Sequence, residues 1–358
     1  MKTKSFLLFS TSVFATSIFL IVFHTQQPQS IQSIVTQTHQ HIKDFQLHPS
    51  QEKLKDVEQS TLVARGRYFQ QLGLEGALEA WRNVTAPALV SHAHGDGHAA
   101  AVAFIRAAAR LPHTVLMYNL GLTPHSLAVV SNYCNSSKCV IMDLDLSVFP
   151  SHVADLSIHA FRPIIIQHAL SRVGGVIFAE SGYRWGGSGR ALAALWARAA
   201  AGAGVLAWPR RAAVTSLTHP RMFHYFHAAA EDFLFVQMLD VSRVLVAARP
   251  GVPELMKAWI QCAVTLDCIM PIGAQSGGCR FDKKPQYRYS GCHGHDASAL
   301  SIILGQRFGF EEAAYTAGGD EWRAVDDATA RREYDDLLRN STEADAKTER
   351  TEPAPANS

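Results

Sequence analysis

Four short apolar runs punctuate the middle of the chain, and each is followed by a stretch with the spacing of a helix. ALVSH (88–92) leads into an alanine-rich segment, 99–110. HTVLMYN (113–119) leads into a segment opened by Thr123 and Pro124, and KCVIMDLDL (138–146) leads into HVADLSIHAFRPIIIQHALSR (152–172). GGVIFA (174–179) then follows. Short runs without polar alternation suit strands covered on both faces, and strands alternating with helices predict an α/β fold: a mainly parallel twisted sheet with helices on both faces. In such sheets ligands collect at the carboxyl ends of strands, near a switch in strand order. Glu180 and Ser181, followed by the glycine-rich GYRWGGSGR, stand at one such end.

The later pattern is looser. It predicts a helix over 189–201, a strand GVLAW (204–208), one long helix over HPRMFHYFHAAAEDFLFVQML (219–239), a strand SRVLVAA (242–248) and a helix over 252–265. A long loop bearing cysteines leads to CHGHDASAL (292–300), where Asp296 can cap a helix starting at Ala297.

The two ends differ from this core. After MKTK, residues 5–23 carry no charge and are long enough to cross a bilayer of about 30 Å as a tilted or slightly short helix. The basic flank on the N-terminal side places residues 1–4 in the cytoplasm. A cleaved signal peptide would have a shorter apolar region and a small-residue cleavage site, whereas this run ends in IFLIVFHTQQ, so a signal anchor is the expectation. Residues 24–60 are polar and glutamine-rich and read as a flexible stem, 61–338 as a lumenal domain, and 339–358 as a disordered tail. The location expected is the Golgi or endoplasmic reticulum membrane, single-pass type II. Acceptor triplets for N-glycosylation at Asn83, Asn135 and Asn340 agree with a lumen. So do six cysteines, an even number. Cys134 and Cys139 are close enough to pair, while Cys262, Cys268, Cys279 and Cys292 leave three pairings open. A net charge of +2 with no basic stretch argues against nucleic acid as a partner.

Four places offer chemistry. His92, His94, Asp96 and His98 suit zinc, but a glycine breaks the spacing of the zinc-hydrolase signature, which favours a strand-end loop and helix cap. Asp143 and Asp145 could hold Mg²⁺ or Mn²⁺ against a diphosphate. Glu180 with Ser181 alone reads as a turn. His293 and His295 can ligate a metal or act as bases, with Asp296 capping its helix or orienting a hydroxyl.

Six fragments in order, VLMYNLGLT, FPSHVADLSIHAFRPIIIQHAL, GGVIFAESGYRW, TSLTHPRMFHYF, MKAWIQCAVTLDCIMPIG and CHGHDASALSIIL, resemble a nematode-rich animal family of type II membrane proteins with glycosyltransferase-A-like domains. The resemblance covers residues 86–308. It implies a Rossmann-like nucleotide-binding half, a nucleotide-sugar donor, a glycan acceptor and a divalent cation, Mn²⁺ or Mg²⁺. On that reading Asn119, Arg162, Glu180 and Ser181 face the donor or its phosphates, Glu180 meets the cation and Asp296 is the catalytic candidate; by their own chemistry His293 is a further candidate to hold the cation and His295 a further catalytic candidate. Asn119 and Glu180 depart from the family's aspartates, Gly294 and His295 replace Arg-Tyr, and Ala297 replaces Gln. The expectation is therefore a glycosyltransferase, with an inactive lumenal glycan- or partner-binding protein of the same fold as the alternative.

Overall fold

A computed structural model describes residues 66–75, 86–282, 284–319 and 321–349, with side chains through residue 340. The chain divides into Met1–Ala64 and Arg65–Ser358, and all that follows concerns the second unit. The span 5–23, the stem 24–60 and Asn83 lie outside the described residues. Among the described residues no helix is long and apolar enough to cross a membrane.

Six strands form one sheet, in the order β3-β2-β1-β4-β7-β6. They are β1 (Ala88–Gly95), β2 (Val115–Leu122), β3 (Cys139–Asp143), β4 (Gly175–Ala179), β6 (Val205–Ala213) and β7 (Gln237–Ala247). β5 (Tyr183–Trp185) pairs with β8 (Trp322–Ala324) in a separate antiparallel ribbon. β3, β2, β1 and β4 run parallel. β7 is antiparallel to both of its neighbours, β4 and β6, so β7 alone opposes the other strands. The expected mainly parallel α/β sheet is present.

Alternation along the strands explains the layers. Val90, Leu116, Tyr118, Val176 and Phe178 belong to one core, packed with α3 (Phe161–Val173), α6 (Val252–Ala263), α7 (Leu266–Ile269) and α8 (Asp296–Arg307). Leu89, Val115, Met117, Ile177 and Ala179 belong to the other, under α1 (His98–Ala108) and α4 (Gly189–Ala201). Each central strand therefore buries both faces, which is why the runs at 88–92 and 174–179 show no polar alternation. α2 (Pro124–Tyr133) begins as expected, with Thr123 accepting a hydrogen bond from the Ser126 N–H and Pro124 in the first turn, where its missing donor costs nothing.

Three expectations need correction. Residues 219–239 do not form one helix: α5 (Pro220–Tyr225) is short, and Gln237 already begins β7. Burial explains this, because Met238 and Leu239 are both fully enclosed and mimic a helical face in the sequence. The helix expected from residue 152 begins only at Phe161, after three-residue and four-residue turns and a left-handed His159 (φ 55°). At the far end, α9 (Asp327–Glu349) continues through residues assigned to a disordered tail. Local charge pairs such as Arg339 with Asp336 support it at the helical spacing.

Disulfides join Cys134 to Cys139, Cys262 to Cys268 and Cys279 to Cys292, which resolves the three open pairings. Asn135 is exposed just beyond α2, whereas Asn340 lies within α9.

Candidate functional site

The chain runs from β1 outward to β2 and β3, then returns to the other side of β1 as β4. That reversal opens a crevice beyond the carboxyl ends of β1 and β4. His92 and His94 come from the first strand and Glu180 from the end of the second. Glu180 is fixed there by its backbone: its N–H donates to the Ser242 carbonyl on β7, and its own carbonyl accepts from Tyr183.

Arg162, in the first turn of α3, meets two acids, one 18 and one 134 residues further along the chain. One Nη donates to Glu180, and the other lies 3.1 Å from Asp296 Oδ2 and 3.3 Å from Oδ1. Arg162 is 5% exposed and Asp296 is 0% exposed, so this is a buried Glu–Arg–Asp bridge. The partners' charges and hydrogen bonds push the guanidinium's pKa upward against desolvation. Burial raises the Asp296 pKa to about 6, with Arg162 pulling it back. Glu180 is also desolvated, but the charge and hydrogen bond of Arg162 win and lower its pKa. Trp259 donates its indole N–H to the Asp296 carbonyl at 2.9 Å, tying the start of α8 to α6.

Histidines surround the bridge. Neither ring nitrogen of His92 has a partner among the described residues although both are buried. The ring packs edge-on to Phe161. Desolvation takes its pKa down to about 3, opposed chiefly by Glu180, so His92 is neutral and keeps a free lone pair beside a carboxylate. His159 and His295 hold positive φ angles, 55° and 45°, a conformation that costs free energy for non-glycine residues and collects at functional sites. His295 bonds through Nδ1 to the Ile269 carbonyl at 2.9 Å and through Nε2 to Ser276 Oγ at 2.8 Å. A carbonyl can only accept, which makes Nδ1 the donor and leaves Nε2 to accept from the hydroxyl.

Two cavities lie nearby: Ser181, the residue after Glu180, lines one, and Arg162 and Asp296 line the other. One, of about 400 Å³, is lined by His92, His94, Gly97, Ser181 and Arg331, at the start of α1. The other, of about 190 Å³, is lined by His159, Arg162, Ser276, His295 and Asp296. The structure thus gathers Arg162, Glu180, His295 and Asp296, and puts Ser181 in the neighbouring cavity.

Other residues fall elsewhere. Asn119 is spent on closing the end of β2: Oδ1 accepts from the Gly121 and Leu122 N–H groups, and Nδ2 donates to Asp143. That corrects its assignment to the donor. His293 cannot ligate a metal as it stands, because Nδ1 accepts from the His219 N–H and Nε2 donates to the Ile269 carbonyl. Asp96 accepts from Thr123, His98 bonds Ser126, and Asp145 caps a turn at Ser147. No group of three or more His, Cys, Asp or Glu that could hold a metal forms among the described residues.

The donor set that does suit a divalent cation has two members: Glu180, whose Oε2 is left free of Arg162, and the unpartnered His92. Magnesium-type sites use few protein ligands when phosphates supply the rest, and a neutral imidazole is the ligating form. The sequence reading had His92 only as a member of a broken zinc pattern, and it missed His159 and Ser276 altogether. The positive φ of His159 has no signature in the sequence, and Ser276 sits in a loop without periodicity.

No protein-family model matches the chain, and no curated protein matches it. Among solved structures it is similar to mouse xyloside xylosyltransferase 1 in its apo form, with TM-score 0.34 and 11% identity over 65% of this chain and 85% of that one. It is also similar to galactosyltransferase LgtC in complex with donor and acceptor sugar analogs (TM-score 0.37, 11% identity, 70% and 95% of the two chains). A third match is the bifunctional glycosyltransferase WbbM in its apo form (TM-score 0.35, 16% identity, 52% and 35%).

Proposed function

We propose that the protein is a nucleotide-sugar-dependent glycosyltransferase whose donor enters the crevice beyond β1 and β4. The observation that carries this reading is the buried bridge Glu180–Arg162–Asp296. It joins an acid at a strand end to the start of α8; Arg162 and Asp296 line one cavity and Ser181, next to Glu180, lines a second, which gives room for a donor side and an acceptor side. The six ordered fragments that resemble glycosyltransferase-A-like proteins support it independently.

In this reading the nucleotide occupies the larger cavity, where the first N–H groups of α1 and Arg331 suit phosphate. Glu180 and His92 would hold Mn²⁺ or Mg²⁺, which offsets charge on the departing nucleoside diphosphate. Arg162 fixes the Glu180 carboxylate. The bond from the sugar's anomeric carbon to the diphosphate oxygen breaks, a bond to the acceptor oxygen forms, and the acceptor proton passes to a base. His295 is better placed than Asp296 for that role. Its Nε2 accepts from the Ser276 hydroxyl, its tautomer is set by the Ile269 carbonyl, and Ser276 also lines the smaller cavity, so the acceptor proton would reach Nε2 through Ser276. Asp296 has no exposed surface and holds Arg162, so it is a positioning residue.

We further propose that this domain faces a Golgi or endoplasmic reticulum lumen from a type II anchor. Three disulfides with no free cysteine among the described residues fit an oxidising compartment.

The test is to incubate the full chain in detergent with a panel of labelled nucleotide sugars and Mn²⁺. Hydrolysis or transfer that falls at least about 100-fold in Glu180→Ala and His295→Ala supports the reading, a loss typical of removing a group that acts in the transition state. Activity unchanged in both variants, or none with any donor, contradicts it.

A further inference from the structure

Beside the smaller cavity lies a larger one, of about 680 Å³, which takes no part in the account so far. Its wall carries three exposed aromatic rings: Phe235 is 83% exposed, Phe281 54% and Tyr287 36%. Phe235 and Tyr287 stand edge to face, their centroids 5.8 Å apart at 72°. One open ring needs no explanation, but three on the wall of one cavity form an apolar patch of the kind that marks a binding site.

The same wall carries Arg210 and Arg211. Consecutive residues of a regular strand point to opposite faces, but the register of β6 against β7 breaks between Pro209 and Ala213, which lets both arginines line one cavity. Both are exposed. No hydrogen bond or ion pair engages either one among the described residues, and no acidic residue lines the cavity. Two uncommitted guanidinium groups beside open rings select an occupant with an anionic group and a flat apolar face. Arginine pairs with carboxylates through two parallel N–H bonds, and the faces of sugar rings pack against aromatic side chains. The larger cavity also joins the site: Arg210 lines both it and the smaller cavity that holds Arg162, His295 and Asp296.

We propose that this cleft is the acceptor subsite and that the acceptor is an acidic oligosaccharide bearing a carboxylate. A sugar ring rests on Phe235 and Tyr287, the carboxylate pairs with Arg210 and Arg211, and the chain leads past Arg210 toward His295. This inference rests on the transferase reading for the word acceptor, but not for the binding itself.

The experiment is calorimetry on the full chain in detergent. The probes are a hyaluronan tetrasaccharide, the neutral chitotetraose and a hexaglutamate peptide, with a nucleoside diphosphate plus Mn²⁺ titrated into the same preparations. The hyaluronan tetrasaccharide is expected to bind about tenfold or more tightly than either other probe. Arg210→Ala with Arg211→Ala should bring it to the level of chitotetraose without changing the melting temperature, and Phe235→Ala should weaken both sugars. Retained nucleotide binding in these variants supports separate subsites.

Equal affinity for the neutral sugar, tighter binding of the peptide, or acidic-sugar binding that survives the double arginine substitution overturns the proposal. If the acidic sugar binds as expected and no nucleotide does, the cleft stands as a glycan site and the transferase reading fails. If nucleotide binds and no sugar does, the reverse holds.

Discussion

Arg162 and Asp296, 134 residues apart in sequence, meet with Nη1 at 3.1 Å from Oδ2 and almost no exposed surface on either residue. Burying charges is expensive, and such pairs are kept at a desolvation cost that their attraction barely offsets. A bridge of this kind is better explained by what it holds in place than by the stability it adds. It holds Glu180 at the end of β4 and the His295 turn at the start of α8.

Arg162→Met is therefore expected to leave the buried Asp296 and the partly buried Glu180 carboxylates uncompensated and to lower unfolding stability by about 3 kcal/mol. Adding Glu180→Gln and Asp296→Asn to that variant should restore most of the loss. Urea denaturation at pH 7 reads both effects, and a single variant as stable as the parent would show that the bridge is solvated.

Trp259→Phe removes the indole hydrogen bond to the Asp296 carbonyl and part of a fully buried ring. A loss of about 1–3 kcal/mol is expected, with turnover falling more than nucleotide affinity, because the indole fixes the start of α8 and not the donor cavity. Equal losses in turnover and nucleotide affinity would assign Trp259 to general packing.

Acid should weaken the fold before it reaches the carboxylates. His92, His168 and His293 are held neutral by burial, with pKa values lowered to about 3, about 4 and about 3. Unfolded, each binds a proton near pH 6.5, so the stability they contribute is present above 6.5 and is lost as pH falls toward those values. Asp296, raised to about 6 by burial, acts in the opposite sense: it favours the fold as pH falls from 6 toward 3.8. His159, lowered to about 4 chiefly by burial, adds to the other histidines, and between pH 6.5 and 5 the four histidines outweigh the one acid, for a net loss on the order of 5 kcal/mol. Urea midpoints across that range check the sign, and a midpoint that rises toward pH 5 would contradict the burial of these rings.

The parts of the fold that could be read from the sequence were those governed by local burial. β1, β2, β3 and β4 are short and apolar, and α2 announces itself with Thr123 and Pro124. β7 was half hidden, because Gln237 to Val241 follows an aromatic run whose spacing also suits a helix, and only pairing with β4 and β6 makes it a strand. The start of α3 depended on a left-handed His159. In the site, Glu180 could be placed at a strand end from GGVIFAE alone, and Arg162 came through the resemblance. Their bridge to Asp296 joins α3, β4 and α8, and no local pattern encodes a contact between elements that far apart. Asn119 entered through the resemblance, and His293 looked like a site residue because a histidine committed to local structure and one that ligates a metal look alike in sequence. Their hydrogen bonds show that both are committed to local structure.

The central claim is that Glu180, braced by Arg162, faces a phosphate-bearing donor through a cation. Its most direct measurement is the melting temperature of the full chain with nucleoside diphosphates at 1 mM, a concentration of order 100 times a Kd of about 10 μM, with and without Mn²⁺. The account predicts a rise of several degrees with at least one nucleotide, dependent on Mn²⁺ and absent in Glu180→Gln. A chain that no nucleotide stabilises, or a rise that Glu180→Gln retains in full, would contradict it.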